Sequence, residues 1–415
     1  MTLAGVIWIT ILLCSLMSGK LQTMLFITLL FMTFQGCNVI IINGQGIGPG
    51  VLTALIFIAY VIIRNRFKLK KICTQKDSFV FALFLLAAPF ISSAYNRNLL
   101  GSILVILQLA SYIGCLFAIQ WSREDISESD LYNTVRWLIV FHCCFAIIQV
   151  LTTMEILPLR PLLSAFFFND HSQNVVFHWN SYNRMLSTFM EPSYFAAFIV
   201  GAFYFLLSYK RKWKRNYFLM LVVVMEILLT QSSTAYGAFI IIGMIFVAFT
   251  DELSLKQKAT VIGIGLIGLI ILYVGFYSVL DTVIFSKSGT ASYRQRERFN
   301  TRAWNAFISS ILLGVGYKQV RGSSIILSIL GQTGILGLIS YTLFNLSFVR
   351  RNRYTVDNNP QLYSAVKLSL LSAVATQIIA CPDLDLCSYW VWAIIVSAAI
   401  RATNSTVDRS GVLDE

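Results

Sequence analysis

Long apolar runs alternate with short polar breaks along almost the whole chain. They fall at 2–18, 21–42, 47–63, 78–95, 99–120, 131–151, 193–209, 216–231, 234–250, 259–280, 324–349, 362–380 and 388–400. Each can cross about 30 Å of hydrocarbon as a helix, the first and last being short. The pattern predicts an all-α integral membrane protein, a polytopic bundle of about 12–13 transmembrane helices forming a single domain over residues 1–415. The first run has no basic leader and no small-x-small cleavage site, so a retained span is expected rather than a signal peptide.

Four basic clusters set the expected orientation. They are Arg64 to Lys71, Lys210 to Arg215, Arg350 to Arg353, and the pair Lys256 and Lys258. Counting spans between them puts all four on one side, which the positive-inside rule makes cytoplasmic. The opposite, periplasmic side then holds Asn96–Asn98, residues 152–192, the turn Gln231–Thr234, residues 281–323 and the turn Cys381–Cys387. The segments 152–192 and 281–323 are the two large ones. Gly44 to Gly50 is glycine-rich but follows no predicted strand, so a tight turn between spans is expected there, not a nucleotide loop.

Composition agrees with a membrane protein. Hydrophobic residues make up 57% and charged residues 12%, with mean hydropathy +0.72. Soluble domains carry about a quarter charged residues. The net charge of +13 would suggest nucleic acid in a soluble protein. Here topology-setting Lys and Arg account for much of it, and no nucleic-acid partner is expected. Most cysteines lie within spans as small hydrophobes. Cys381 and Cys387 flank the turn CPDLDLC, where a disulfide is one option and two free thiols the other.

The unexplained charge is in 281–323. Lys287, Arg294, Arg296, Arg298, Arg302, Lys318 and Arg321 stand there against one acid, Glu297, between Ser286 and Ser323. Outward loops are normally poor in Lys and Arg. Arg294, Arg298 and Arg302 are spaced by four and would share a face if helical. Arg forks match phosphate, so a diphosphate is the simplest ligand; anionic lipid headgroups are the bland alternative. A second motif, Arg184-Met-Leu-Ser-Thr-Phe-Met-Glu191-Pro192, ends the other outward segment. Glu191 with Pro192 can be a plain helix start, or a carboxylate able to take a proton from a sugar hydroxyl. Gly314 and Gly316 suggest a turn beside Lys318 and Arg321; Gly331, Gly334 and Gly337 suggest close helix approach. Asp383 and Asp385 could contact sugar hydroxyls. Glu226 within a span is suspect by default, and His142 reads as structural. His171 and His178 near Asp170 are a weak metal signal, and neither a metal nor another cofactor is expected.

The stretches RMLSTFMEPSYFA, LLTQSSTAYGAF and SGTASYRQRERFNTRAWNAFISSILLGVGYKQVRGSSIILSILGQTGILGL, over roughly 180–345, resemble bacterial O-antigen polymerases (Wzy-type), of the O-antigen polymerase and ligase superfamily. The resemblance implies a glycosyltransferase of the inner membrane whose active site faces the periplasm. It implies a substrate, undecaprenyl-diphosphate-linked glycan, whose growing chain moves onto a new lipid-linked unit. Membrane lipid and a polysaccharide chain-length regulator are the further partners the resemblance suggests. It implies essential arginines at Arg184, Arg294, Arg298, Arg302 and Arg321, with Arg296 an alternative in the register, and places Glu191 at the family's EP position. Glu191, Arg298 and Arg302 are thus expected in catalysis, and Arg184, Arg294, Arg296, Lys318 and Arg321 in substrate binding. The family's ligases carry a His-Asn pair where Ser323-Ser324 stand here, which favours polymerase over ligase. A flippase for the same lipid would want basic groups around a midplane cavity and repeated halves; no repeat is visible.

Overall fold

The computed structural model describes residues 3–42, 45–66, 76–122, 126–166, 173–178, 183–209, 212–249, 254–258, 263, 291–349 and 360–405. The expected span 259–280 (Gly263 apart), the start of the arginine segment and much of the basic clusters lie outside these residues. What is described is almost all helix. The helices are α1 Leu3–Ser18, α2 Leu21–Met32, α3 Pro49–Arg64, α4 Lys76–Tyr95, α5 Leu99–Trp121, α6 Glu128–Thr153, α7 Arg160–Phe166, α8 Pro192–Ser208, α9 Trp213–Leu229, α10 Ser233–Phe249, α11 Ala291–Ser309, α12 Ile325–Val349, α13 Pro360–Ala380 and α14 Cys387–Ser405. Among the described residues, five stretches are long and apolar enough to cross a membrane: Asp77–Tyr95, Leu99–Trp121, Glu128–Thr153, Ile325–Val349 and Gln361–Ala380. Shorter apolar helices such as α3, α8 and α10 pack among them.

One expected span is cut short. The run 21–42 was expected to be one helix, but α2 stops at Met32. The chain then forms a two-stranded antiparallel ribbon, β1 Ile40–Ile42 with β2 Gln45–Ile47, in the register Ile40↔Ile47 and Ile42↔Gln45. Gly36 and Asn38 break the helix, and four successive β-branched residues, Val39 to Ile42, favour strand. The glycine-rich stretch therefore does follow a strand, contrary to expectation: its described residues, 45–50, lie in the ribbon and the entry to α3.

The centre of the bundle is α8, α13 and α14. Nearly every residue of α8 is buried, as is 389–400 in α14, as befits helices apolar on all sides. Gly201 lets α8 touch its neighbours: a Cβ there would come within 2.6 Å of Trp392 Nε1, and Ser369 Oγ donates to the Gly201 carbonyl at 2.8 Å. His142 of α6 packs on Phe198 and meets Ser187 Oγ at 3.0 Å, a structural placement.

Successive turns collect at alternate ends. At one end Thr188 Oγ1 donates to Thr33 O (2.9 Å), Asn96 Nδ2 to Gly314 O (3.1 Å), and Arg184 Nε to Thr230 O (2.9 Å). At the other, Asn65 Nδ2 donates to Trp121 O (2.9 Å), Tyr209 OH to Glu128 Oε1 (2.6 Å), and Tyr132 OH to Asn216 Oδ1 (2.5 Å). The first group joins turns and span ends that the span count puts toward one side, Thr33 lying within the expected span 21–42, and the second joins those toward the other.

Candidate functional site

The arginine segment is helical where it is described. α11 runs from Ala291 to Ser309 and packs along α12. Ala303 is fully buried against it; a Cβ on Gly331 would lie 2.8 Å from the Ala303 carbonyl oxygen. Asn300 Oδ1 accepts from the Ser323 backbone N–H at 2.8 Å, which ties α11 to the entry of α12.

This packing divides the arginines. Arg294, Arg298 and Arg302 share the exposed face with Glu297 and Thr301 and line a shallow depression of about 390 Å³. Arg296 is on another face. It lines a cleft of about 490 Å³ with Arg184, Glu191, Arg321, Tyr293, Ser232, Ser233, Thr234 and Pro382. Three guanidiniums and one carboxylate thus border one hollow, built from five segments far apart in sequence.

Arg184, Glu191 and Arg321 are each anchored. Arg184 donates from Nε to Thr230 O and from Nη2 to Gln231 O at 3.0 Å, closing the end of α9. Burial pulls its pKa down, opposed by Tyr236 and Glu191. Glu191 occupies the N-cap of α8 with Pro192 next, but its side chain makes no cap hydrogen bond. Instead Oε2 accepts from Ser193 Oγ at 3.1 Å, and Oε1 stands 3.9 Å from Arg321 Nη2. Nearly half exposed, it is open to whatever fills the cleft. Arg321 Nη2 also donates to Tyr194 OH (2.8 Å) and Asp383 Oδ2 (3.3 Å).

Lys318 sits behind this edge. Its Nζ lies 2.7 Å from both Asp383 Oδ1 and Asp385 Oδ1. Tyr194 OH donates to Asp383, and Tyr317 OH to Asp385 at 3.3 Å. Burial works against the Lys318 charge, yet Asp385 and Asp383 hold its pKa above the usual lysine range. Burial likewise opposes the Asp383 charge, but Lys318 and Arg321 keep its pKa below the usual range. Lys318 is thus engaged by the CPDLDLC turn, and Arg321 is aimed by it.

The turn bearing Lys318 is held from two sides. Ser93 Oγ accepts from Tyr317 N (3.0 Å) and Ser102 Oγ donates to Tyr317 O (2.8 Å). Residues 311–316 also fill a break in α12 at Gly334, whose φ is 67°. Val315 N donates to Gly331 O (3.0 Å), Gly316 N to Gln332 O (3.0 Å), and Ile335 N back to Ile311 O (2.9 Å).

No family model and no curated protein matches the chain.

The structure brings Arg184, Glu191, Arg296 and Arg321 together and sets Arg294, Arg298 and Arg302 apart from them. Sequence reading did not single out Tyr194 or Ser93, and gave Asp383 and Asp385 only a sugar-contacting role. The acids Asp383 and Asp385 were the available signal for Lys318. Cys381 and Cys387 are both free thiols, and Cys381 Sγ points at Ser193 O (3.3 Å). Glu226 is buried in α9. Asp170 and His171 lie outside the described residues.

Proposed function

We propose that the protein polymerises undecaprenyl-diphosphate-linked oligosaccharide repeat units at the periplasmic face of the inner membrane, the activity the resemblance implies. On this reading the bundle has 12–13 spans and the arginine end faces the periplasm. The observation that carries the proposal is the cleft where Arg184, Arg296 and Arg321 surround Glu191 at one end of an apolar bundle.

The reaction displaces a lipid diphosphate from an anomeric carbon. Negative charge develops on the leaving diphosphate, and preorganised guanidiniums stabilise it by several kcal/mol in a partly dry site. Arg321 is preorganised by Tyr194 and Asp383, and Arg184 by two carbonyls. Glu191 takes the proton from the attacking sugar hydroxyl. Two lipid diphosphates must be present at once, the growing chain and the new unit. α11 offers a basic group to each of two hollows, Arg296 to one and Arg298 with Arg302 to the other, which supports a two-substrate reaction.

A flippase is less well supported. Transporters use broken helices to expose backbone groups to substrate. The break in α12 is filled by residues 311–316, so those groups are already bonded. The test is the surface polysaccharide of a deletion strain complemented with variants. Arg296→Ala, Arg321→Ala, Arg298→Ala and Arg302→Ala are expected to give lipid A capped with a single repeat unit at normal protein levels. Loss of all repeats on deletion would instead indicate a flippase or ligase.

A further inference from the structure

The exposed face of α11 changes character along its length. Its first half carries Arg294, Glu297, Arg298, Thr301 and Arg302. The row through Glu297 and Thr301 then continues into Trp304 and Ile308, at i+3 and i+4 spacing. Trp304 is 48% exposed and Ile308 55%; Leu312, just beyond the helix, is 57% exposed. One stripe is therefore basic at one end and apolar at the other.

The levels of the two halves fit a membrane edge. Ser92 Oγ donates to Gln332 O at 2.7 Å, and Ser92 stands three residues from the end of α4, a long apolar helix. The break in α12 is therefore about one turn, roughly 5 Å, inside the end of α4. Residues 311 and 312 are bonded into that break, so the foot of α11 is level with the last turn of α4. Arg302 precedes Ile308 by six residues and stands at most about 9 Å farther out along the helix. The headgroup band is about 5–8 Å thick. With the end of α4 taken as the edge of the hydrocarbon, the arginines fall at phosphate level and the apolar foot at the start of the hydrocarbon.

We infer that the exposed stripe of α11 binds a polyprenyl diphosphate lengthwise, with the diphosphate on Arg298 and Arg302 and the isoprenoid chain along Trp304, Ile308 and Leu312. This rests on the proposed function for the class of lipid and adds where its tail lies. Two guanidiniums one turn apart, about 6 Å along the axis, can each take one phosphate. A phospholipid offers a single phosphate to that pair, so the charge pattern favours the diphosphate.

The test is direct binding to the purified full-length protein, with undecaprenyl diphosphate, inorganic diphosphate and phosphatidylglycerol as probes. Ile308→Asn and Leu312→Asn are each expected to weaken undecaprenyl diphosphate about tenfold and to leave inorganic diphosphate unchanged. Arg298→Ala with Arg302→Ala is expected to remove one of two bound equivalents of each diphosphate, the cleft of Arg184, Arg296 and Arg321 keeping the other. Melting temperatures confirm that each variant is folded, and Ile308→Val, which keeps the site apolar, retains wild-type affinity. Unchanged undecaprenyl diphosphate binding in both Asn variants would overturn the tail assignment while leaving the proposed function standing. Equal competition by phosphatidylglycerol would also overturn it, showing bulk lipid on the stripe. Full diphosphate binding by the double arginine variant would overturn the phosphate half, and with it the role of this face in the proposed reaction.

Discussion

Gly334 and Leu312 are in direct backbone contact. Gly334 has φ 67°, and a Cβ on it would strike the Leu312 carbonyl and come 2.6 Å from Leu313 N. Gly314 answers from the other strand of this clasp with φ 64°, where a Cβ would lie 2.6 Å from Thr333 N. Left-handed backbone costs an L-residue about 1–2 kcal/mol before any clash. Gly334→Ala and Gly314→Ala are each expected to destabilise by at least about 2 kcal/mol. Thermal unfolding of the purified variants measures this. Gly101→Ala is the control, since open space surrounds it.

Lys318 is expected to act through stability. Its removal takes the cation from Asp385, 13% exposed, and leaves Asp383, 17% exposed, with Arg321 alone. Lys318→Met should cost about 2 kcal/mol, less than a fully buried pair because water reaches the lysine. Combining it with Asp385→Asn should cost less than the sum of the two single changes. Additive losses would separate Lys318 from the CPDLDLC turn.

The same network gives a pH dependence. Asp383 has a folded pKa below its unfolded value, near 3.9. Its contribution is complete above that unfolded value and is lost as pH falls through the folded one. Lys318 has a folded pKa above its unfolded value. Its contribution is complete below about pH 10 and is lost at higher pH. The stability gap between wild type and Asp383→Asn should therefore be constant from about pH 5 to 9 and narrow below about pH 4. Melting curves across that range measure it.

Arg184 and Arg298 should part company in stability. Arg184→Ala removes two hydrogen bonds to carbonyls at the end of α9 and is expected to cost about 1–3 kcal/mol. Arg298→Ala, on an exposed face, is expected to stay within about 0.5 kcal/mol of wild type. Both should lose polymer. Arg184→Lys should recover part of the stability, since an ammonium can reach one carbonyl but not both.

Much of this was legible because hydropathy and charge act locally. The apolar runs located most helices to within a few residues, and the four-residue spacing of Arg294, Arg298 and Arg302 gave their common face. What escaped notice depends on distant partners. Periodicity sets Arg296 apart from Arg298, but only the packing of Ala303 on Gly331 says which face turns inward. Lys318 read as one more basic group because its acids lie 65 residues or more away. Gly334 looked like a small residue for close packing; nothing local distinguishes that from a break filled by another segment. The β-branched run Val39 to Ile42 was a local signal, outweighed by its hydropathy.

The most direct measurement of the central claim is turnover by the purified protein in liposomes, given one lipid-diphosphate-linked repeat unit. The account predicts a ladder of longer lipid-linked glycans with release of undecaprenyl diphosphate. It predicts no ladder from Glu191→Gln at unchanged melting temperature, and none from Arg321→Ala, which also lowers the melting temperature by removing the bonds to Tyr194 and Asp383. A wild-type protein that leaves the single unit unextended, or variants that extend it as fast as wild type, would contradict it.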